Sequence, residues 1–373
     1  MGRPVGQRRC LRALGLVGLA LTCLGGCASA RVAAFHAPMH PANTEAVTFR
    51  AEANGTVDKI VLSYRRFNLT VALGVLIQTE VVPMTDLATC DPAGTISTLT
   101  CSHTMPSAFP ASSLIEFQAT VYDGDGKTNS DVYSFAAGDY PLPDDPIPIR
   151  LKGDTAGHLD VVFIPDTDIT VANFRSQLGT VVEQIYFKYE AIKTWRGLYN
   201  FYYSAQQGNY EESCSFTNPS NMATLTAVGD AVLFLHQNTL RDCRSGKRIS
   251  SEINYDKSMI HESGHVLFNL QDEYCCDSSY SPQACYQNLF SSLASCQTEA
   301  ANIGYPTSNC VQLTDGTTTL SFWRIDPSGA NGCMMGPHQH SSDSDFNQAC
   351  RRRINHRYGQ CGAGDCFSSP ECP

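Results

Sequence analysis

The sequence predicts two folded units of different class, an all-β immunoglobulin-like sandwich over residues 32–140 and an α+β domain over residues 153–373, joined by a linker at 141–152. Three observations predict this division. Short apolar–polar alternations separated by turn residues fill the first span, as half-buried strands at sandwich spacing do. The stretch Pro141-Leu142-Pro143-Asp144-Asp145-Pro146-Ile147-Pro148 stiffens the chain and resists both helix and central strand. Beyond it, a strand, a helix and two further strands lead into another helix, the order of a mixed domain.

Residues 1–27 precede both units and read as an export signal. Arg3, Arg8, Arg9 and Arg12, with no acid or lysine in the first thirty residues, border an apolar stretch at 11–24. That stretch has the length of a signal-peptide core and is short for a membrane span. Leu24-Gly25-Gly26-Cys27 resembles a bacterial lipobox, which makes Cys27 the expected lipidated residue and an anchor to the outer membrane. Ala28-Ser29-Ala30 is a competing small-x-small cleavage site that would release the protein. The expected location is therefore outside the cytoplasm, as a bacterial cell-envelope lipoprotein or a secreted protein.

Within the sandwich the alternation is clearest at 46–53, 59–64 and 115–122. Cys90 and Cys101 flank a turn region and are expected to pair locally. Asp123-Gly124-Asp125-Gly126, followed by Asn129 and Asp131, resembles part of a calcium loop but lacks the glutamate at its twelfth position. A polar hairpin turn explains it equally well. In the second unit, residues 159–165 form a continuous apolar run suited to a buried strand. Residues 171–195 have the length and pattern of one amphipathic helix, and 198–203 and 231–235 read as further strands. After Tyr274 the chain turns rich in Ser, Cys and Gly, which predicts a disulfide-pinned, loop-heavy end.

With 42% hydrophobic and 17% charged residues, the chain is globular rather than disordered. Its formal charge of −10 becomes −14 without the four N-terminal arginines. So acidic a surface excludes nucleic acid as the expected partner, because phosphate binding needs positive patches. The run Arg351-Arg352-Arg353 is too short to change this and reads as a solvated or ion-paired face. Seventeen cysteines point to an oxidising compartment. Cys10, Cys23 and Cys27 fall in the first thirty residues, which leaves fourteen, enough for seven disulfides.

The chemistry concentrates at His261-Glu262-Ser263-Gly264-His265. Residues four apart share a helix face, so both histidines can address one metal ion. Glu262 is displaced around the helix and suits a general base rather than a ligand. A catalytic zinc site uses three protein ligands and keeps one position open, so one more ligand is needed. For a downstream acid to fold back, the helix must end just after Phe268, and Asn269 is a suitable left-handed terminator. Asp272 leads as the third ligand. Glu273 is the alternative, or else a structural partner, and a remote acid such as Glu299 is a further option.

The segment from His261 to Asp272-Glu273-Tyr274 resembles the HExGH…DEY signature of the M64 peptidases, the IgA peptidase family of metzincin-like enzymes. Residues 159–164 resemble the opening strand of that family's catalytic domain. Cys333-Met334-Met335-Gly336 resembles its methionine turn, with Met334 or Met335 as the apolar floor beneath the metal. The resemblance spans most of residues 155–350, and the zinc segment is its diagnostic part. Asn269 stands where the family pattern has glycine, and Gly336 where an arginine is expected.

The resemblance implies a metzincin-like fold for the α+β domain and a Zn2+ cofactor on His261, His265 and an acid. It also implies a protein or peptide substrate, hydrolysed with Glu262 as the base, and it does not imply antibody as that substrate. His338 and His340 follow the methionines and are candidates to approach the cleft, and Tyr274 is a candidate donor. The adjacent Cys275 and Cys276 are expected to bond elsewhere, among Cys285, Cys296 and Cys310.

The expected function is that of an exported zinc-dependent endopeptidase. A surface adhesin or binding lipoprotein that retains a peptidase scaffold is the alternative, favoured by the sandwich and the acidic surface. The intact His261, Glu262 and His265 weigh against it. A purely structural zinc site fits worse, since a closed site takes four ligands and needs no base.

Overall fold

The computed structural model describes residues 31–367 except 40, 43, 73–74, 93, 95, 124–125, 130–131, 143, 153–156, 274–285, 287, 316–317, 327–332, 337–344 and 365. The export segment with Cys27, and also Asp131, Tyr274, Cys275, Cys276, Cys285, His338 and His340, lie outside the described residues.

The first eight strands are β1 (Arg31–Ala37), β2 (Thr48–Val57), β3 (Lys59–Ala72), β4 (Val75–Cys90), β5 (Ile96–Thr104), β6 (Ser113–Asp123), β7 (Gly126–Asn129) and β8 (Tyr133–Ala137). They form two antiparallel sheets, ordered β1-β2-β5 and β4-β3-β6-β7, with β8 also paired to β6. Period-two burial explains how the sheets meet. Phe49, Ala51 and Ala53 of β2 and Ile115, Phe117, Ala119 and Val121 of β6 share one core, while Arg50 faces solvent. A disulfide from Cys90 to Cys101 joins β4 to β5, and so one sheet to the other.

The β3–β4 hairpin is much longer than the alternation at 59–64 suggests. Its register continues to Ala72↔Val75 after the buried face has ended, which leaves Val71, Ile77, Val81 and Met84 exposed. Ladder hydrogen bonds between the two strands sustain it where packing no longer does. Strands β6 and β7 pair antiparallel with Asp123 opposite Gly126, while Gly124 and Asp125 lie outside the described residues.

The second unit is built on a six-stranded sheet. Its strands are β9 (Ile147–Arg150), β10 (Leu159–Pro165), β11 (Tyr199–Tyr203), β14 (Ala231–His236), β15 (Arg244–Ser245) and β16 (Arg248–Glu252), and a separate hairpin pairs β12 (Asn209–Glu211) with β13 (Ser215–Thr217). The order is β15-β16-β14-β10-β11-β9, with β16, β14, β10 and β11 parallel and an antiparallel strand at each edge. Every residue of β10, β11 and β14 is buried, because both sheet faces are covered. Val161, Phe163, Leu233 and Ile249 enter the core on one face, and Val162, Ile164, Val232 and Phe234 enter the core on the other.

Two segments differ from the sequence reading. Residues 147–150, read as linker from their prolines, instead form β9, with Pro148 opposite Tyr202 at the sheet edge, where a strand tolerates a missing N–H. The single helix expected over 171–195 is broken into α1 (Val171–Thr180), a wide-turn π segment (Val181–Tyr186), α2 (Glu190–Lys193) and a 3-10 turn (Arg196–Leu198). The extra residue in the wide turn lets neighbouring Val181 and Val182 both reach the core, along with Ile185 and Tyr186.

Four further helices and a small sheet complete the described residues. Helix α3 (Met222–Val228) covers the second sheet face, and α4 (Asp256–Phe268) covers the first. Strands β17 (Leu289–Phe290), β18 (Cys310–Asp315) and β19 (Thr318–Ile325) form an antiparallel sheet ordered β17-β19-β18. Helix α5 (Leu293–Asn302) is tied to it by Cys296–Cys310, and α6 (Gln348–Gly362) packs Ile354 and Tyr358 into the main core. Among the described residues, no helix is long and apolar enough to cross a membrane.

Candidate metal centre

Helix α4 lies in the core, with Met259, Ile260, Leu267 and Phe268 buried. Asp256 sits in its first turn, where an anion complements the helix dipole, and accepts hydrogen bonds from Lys188 Nζ at 2.7 Å and from the Tyr189 hydroxyl. Burial raises the Asp256 pKa, but those two donors outweigh it and leave the group below the ordinary value.

Asn269 ends the helix in the left-handed conformation, at φ 53° and ψ 39°. Leu270 N–H then bonds back to Gly264 O at 3.1 Å, so the chain reverses within one residue. Asparagine thus supplies the left-handed bend that ends the helix. Arg353 Nε donates to the Phe268 carbonyl at 2.9 Å, placing a buried cation at the helix C-terminus. The rest of the arginine run is paired at the surface, Arg351 with Asp345 and Arg352 with Glu299.

The reversal brings Asp272 to both histidines. Asp272 Oδ1 stands 3.1 Å from His261 Nε2 and 3.2 Å from His265 Nε2, and the two Nε2 atoms are 3.2 Å apart. His261 Nδ1 donates to Met334 O at 2.9 Å, and His265 Nδ1 donates to Leu270 O at 2.7 Å. A carbonyl can only accept, so Nδ1 carries the proton in each neutral ring and Nε2 presents a lone pair.

Three acceptors therefore converge on one point, and Asp272 Oδ1 is a buried oxygen without a hydrogen-bond donor. Such a set could hold a cation. Around an ion at about 2.0–2.1 Å, neighbouring corners of a tetrahedron lie about 3.3 Å apart, close to the observed separations. The residues thus fit zinc with three ligands. Were the rings doubly protonated, their Nε2–H groups would instead donate to Asp272 Oδ1 and hold its carboxyl below the usual range against burial. Burial lowers His261, and Asp272 reverses that.

The remaining predicted residues separate cleanly. Met335 packs beneath the helix, with its sulfur 3.0 Å from where a side chain on Gly264 would begin, so only glycine leaves it undisturbed. Met334 instead contributes its carbonyl to His261. Glu273, the alternative ligand, points away into a closed pocket, where it accepts from Asn288 Nδ2 at 3.2 Å, Asn347 Nδ2 at 3.2 Å and Cys350 Sγ at 3.2 Å. Burial pushes its carboxyl up to about 7 against those bonds and the nearby Arg324. Glu299 lies on α5 in an ion pair with Arg352, so the remote-acid option does not reach this cluster.

The cluster opens into a cleft of about 590 Å³. His261, Glu262, His265 and Asp272 line it together with Asp242, Glu252, Tyr255 and Ser258. Burial raises Glu262, with the two imidazoles opposing. Asp242 accepts from buried His236 Nε2 at 3.0 Å, and Glu252 is pushed up to about 7 by burial and a hydrogen bond with Asp242. The sequence reading missed Asp242 and Glu252. Neither stands out in the sequence, since Asp242 lies in a loop after β14 and Glu252 ends the polar strand β16.

No protein-family model matches the chain, and no curated protein matches it. Among solved structures, the sporulation control protein Spo0M from Bacillus subtilis is similar at 12% identity over 31% of this chain and 51% of that one, with a TM-score of 0.20. A β-glucosidase from Listeria innocua is similar at 14% identity over 31% of this chain and 17% of that one, with a TM-score of 0.17. The chain thus spans about half the length of the first and a sixth of the second. Likeness this low carries nothing about fold or function.

Proposed function

We propose that the chain is an exported, zinc-dependent endopeptidase of the kind its zinc segment resembles, with a metzincin-like domain behind an immunoglobulin-like sandwich. The observation that carries this reading is the convergence of His261 Nε2, His265 Nε2 and Asp272 Oδ1 at the floor of a cleft that Glu262 also lines. His261, His265 and Asp272 would hold the ion, and the cleft leaves its remaining side open to substrate. Zinc, when bound, supplies the Lewis acidity that brings the pKa of a water to about 7.

The chain's own groups do the rest. Glu262 takes the proton of the attacking water and passes it to the leaving amine as the peptide bond breaks. The carbonyls of Met334 and Leu270 hold both imidazoles in the ligating tautomer and orientation. Met335 supports the helix from below at Gly264. The disulfides Cys90–Cys101, Cys214–Cys243, Cys296–Cys310 and Cys361–Cys366 support folding in an oxidising compartment.

Glu262→Gln tests the reading on a peptide library. The expected variant keeps its metal and loses turnover by roughly 10²–10⁴-fold, the usual contribution of a positioned general base. Full activity in that variant on any peptide that the wild type cuts would refute the mechanism. One observation favours a binding role for the sandwich in addition, namely the exposed Val71, Ile77, Val81 and Met84 on the β3–β4 hairpin. Deleting the hairpin tip separates the two roles, since cleavage of short peptides should survive it.

A further inference from the structure

We propose that Cys333 and Cys350 form a disulfide that ties the methionine turn to α6 and so locks the frame on which the candidate metal centre is built. The two sulfurs lie 3.3 Å apart as thiols, and both side chains are buried. Cys350 occupies the first turn of α6, where Asn347 caps the helix. Cys333 immediately precedes Met334, whose N–H bonds to Asp345 O at 2.9 Å. That bond holds the two described segments that carry the cysteines side by side, and disulfide formation needs only a small approach of the sulfurs.

The same geometry makes the bridge consequential. Met334 O receives the Nδ1 proton of His261, and Met335 O accepts from Glu273 N–H at 2.6 Å, next to Asp272. One short turn thus orients a histidine and anchors the acid-bearing segment. Fixing that turn to α6 fixes both.

Glu273, Cys333 and Cys350 also lie close enough together to suggest a second metal site. The surrounding amides argue against it. Asn288 Oδ1 is held by Gln271 N–H and Asn347 Oδ1 by Cys350 N–H, so each must aim its NH2 at the Glu273 carboxylate. That carboxylate is already satisfied by donors, as a hydrogen-bonded group is and a metal ligand is not. Loss of the Cys350 S–H on oxidation leaves both amide donors in place.

Formation follows thiol–disulfide exchange with a disulfide donor of the export compartment. One cysteine thiolate attacks the donor disulfide, forming a mixed disulfide and releasing one thiol. The second cysteine thiolate attacks the mixed bond, closing Cys333–Cys350 and releasing the other thiol. Two cysteine sulfurs are oxidised, one donor disulfide is reduced, and the two cysteine protons end on the released thiols. Burial requires that this happen before the core closes.

Disulfide mapping on the wild-type chain tests the proposal without reference to peptidase activity. The full chain, folded with oxidised glutathione as donor, is denatured, alkylated without reductant, digested with chymotrypsin, which cuts after Phe346 between the two cysteines, and analysed by mass spectrometry. The expected result is one cross-linked peptide pair joined at Cys333 and Cys350, lighter by two hydrogens than the two thiol peptides. Alkylation of both cysteines, or a bridge from either to another cysteine, overturns it. Alkylation of both together with a second bound metal ion that Glu273→Gln removes would assign the cluster to metal instead, and overturns it equally.

Discussion

Two clusters of three ligand-type residues lie side by side in this protein, entered by consecutive acids, and they are built on opposite plans. Asp272 joins His261 and His265 at the base of an open cleft, where every converging atom is an acceptor. Glu273 joins Cys333 and Cys350 in a closed pocket, where amide and thiol donors surround the carboxylate. Residue type alone would make both acids ligands. The balance of donors and acceptors separates them, since converging acceptors suit a cation and a carboxylate ringed by donors does not need one.

The comparison is sharpest in turnover. Glu262→Gln should cost roughly 10²–10⁴-fold, whereas Glu273→Gln should leave peptide cleavage within a few-fold of wild type. Comparable losses in the two variants, measured as kcat/KM, would erase the distinction between the open and closed clusters.

The closed cluster should instead register in stability. Glu273→Gln sets an amide NH2 against the Asn288 and Asn347 donors, and should lower unfolding free energy by about 1–3 kcal/mol in denaturant titration. No change would mean that these hydrogen bonds do not hold the pocket together.

A smaller effect is expected at the bend that sends the two acids apart. Asn269→Val forces a branched side chain into the left-handed region and should cost roughly 1–2 kcal/mol, while Asn269→Gly should be close to neutral. Equal melting temperatures for the two variants would show that the bend is not strained by a side chain.

The smallest effect is a slope with pH. The Glu252 carboxyl rises from 4.5 to about 7, because of burial and the hydrogen bond with Asp242. The folded state therefore binds more protons than the unfolded state in that window, so this group's contribution weakens as pH rises through it. Glu252→Gln should flatten the decline of melting temperature between about pH 5 and pH 7. An unchanged slope would place the titration elsewhere.

What could be read along the chain was what local rules govern. The helix spacing of His261 and His265, the terminator Asn269 and the reach of Asp272 all follow from residues within one short segment. The buried strands at 159–165 and 231–235 announced themselves as unbroken apolar runs for the same reason.

The partners of Glu273 could not be read, because Asn288 and Asn347 arrive from 15 and 74 residues away. Asp242 and Glu252 became cleft residues only through the order in which β14 and β16 pair. The prolines at 146 and 148 suggested a linker where an edge position admits a strand. The run Val181-Val182 looked like ordinary helix, although burying both residues required a wide turn.

Metal content of purified chains tests the central claim most directly. Wild type and Glu273→Ala should each carry one tightly held zinc ion per chain, and Asp272→Ala should lose it. Zinc retained in Asp272→Ala, or lost in Glu273→Ala while that variant remains folded, would contradict the assignment of the open cluster as the metal centre.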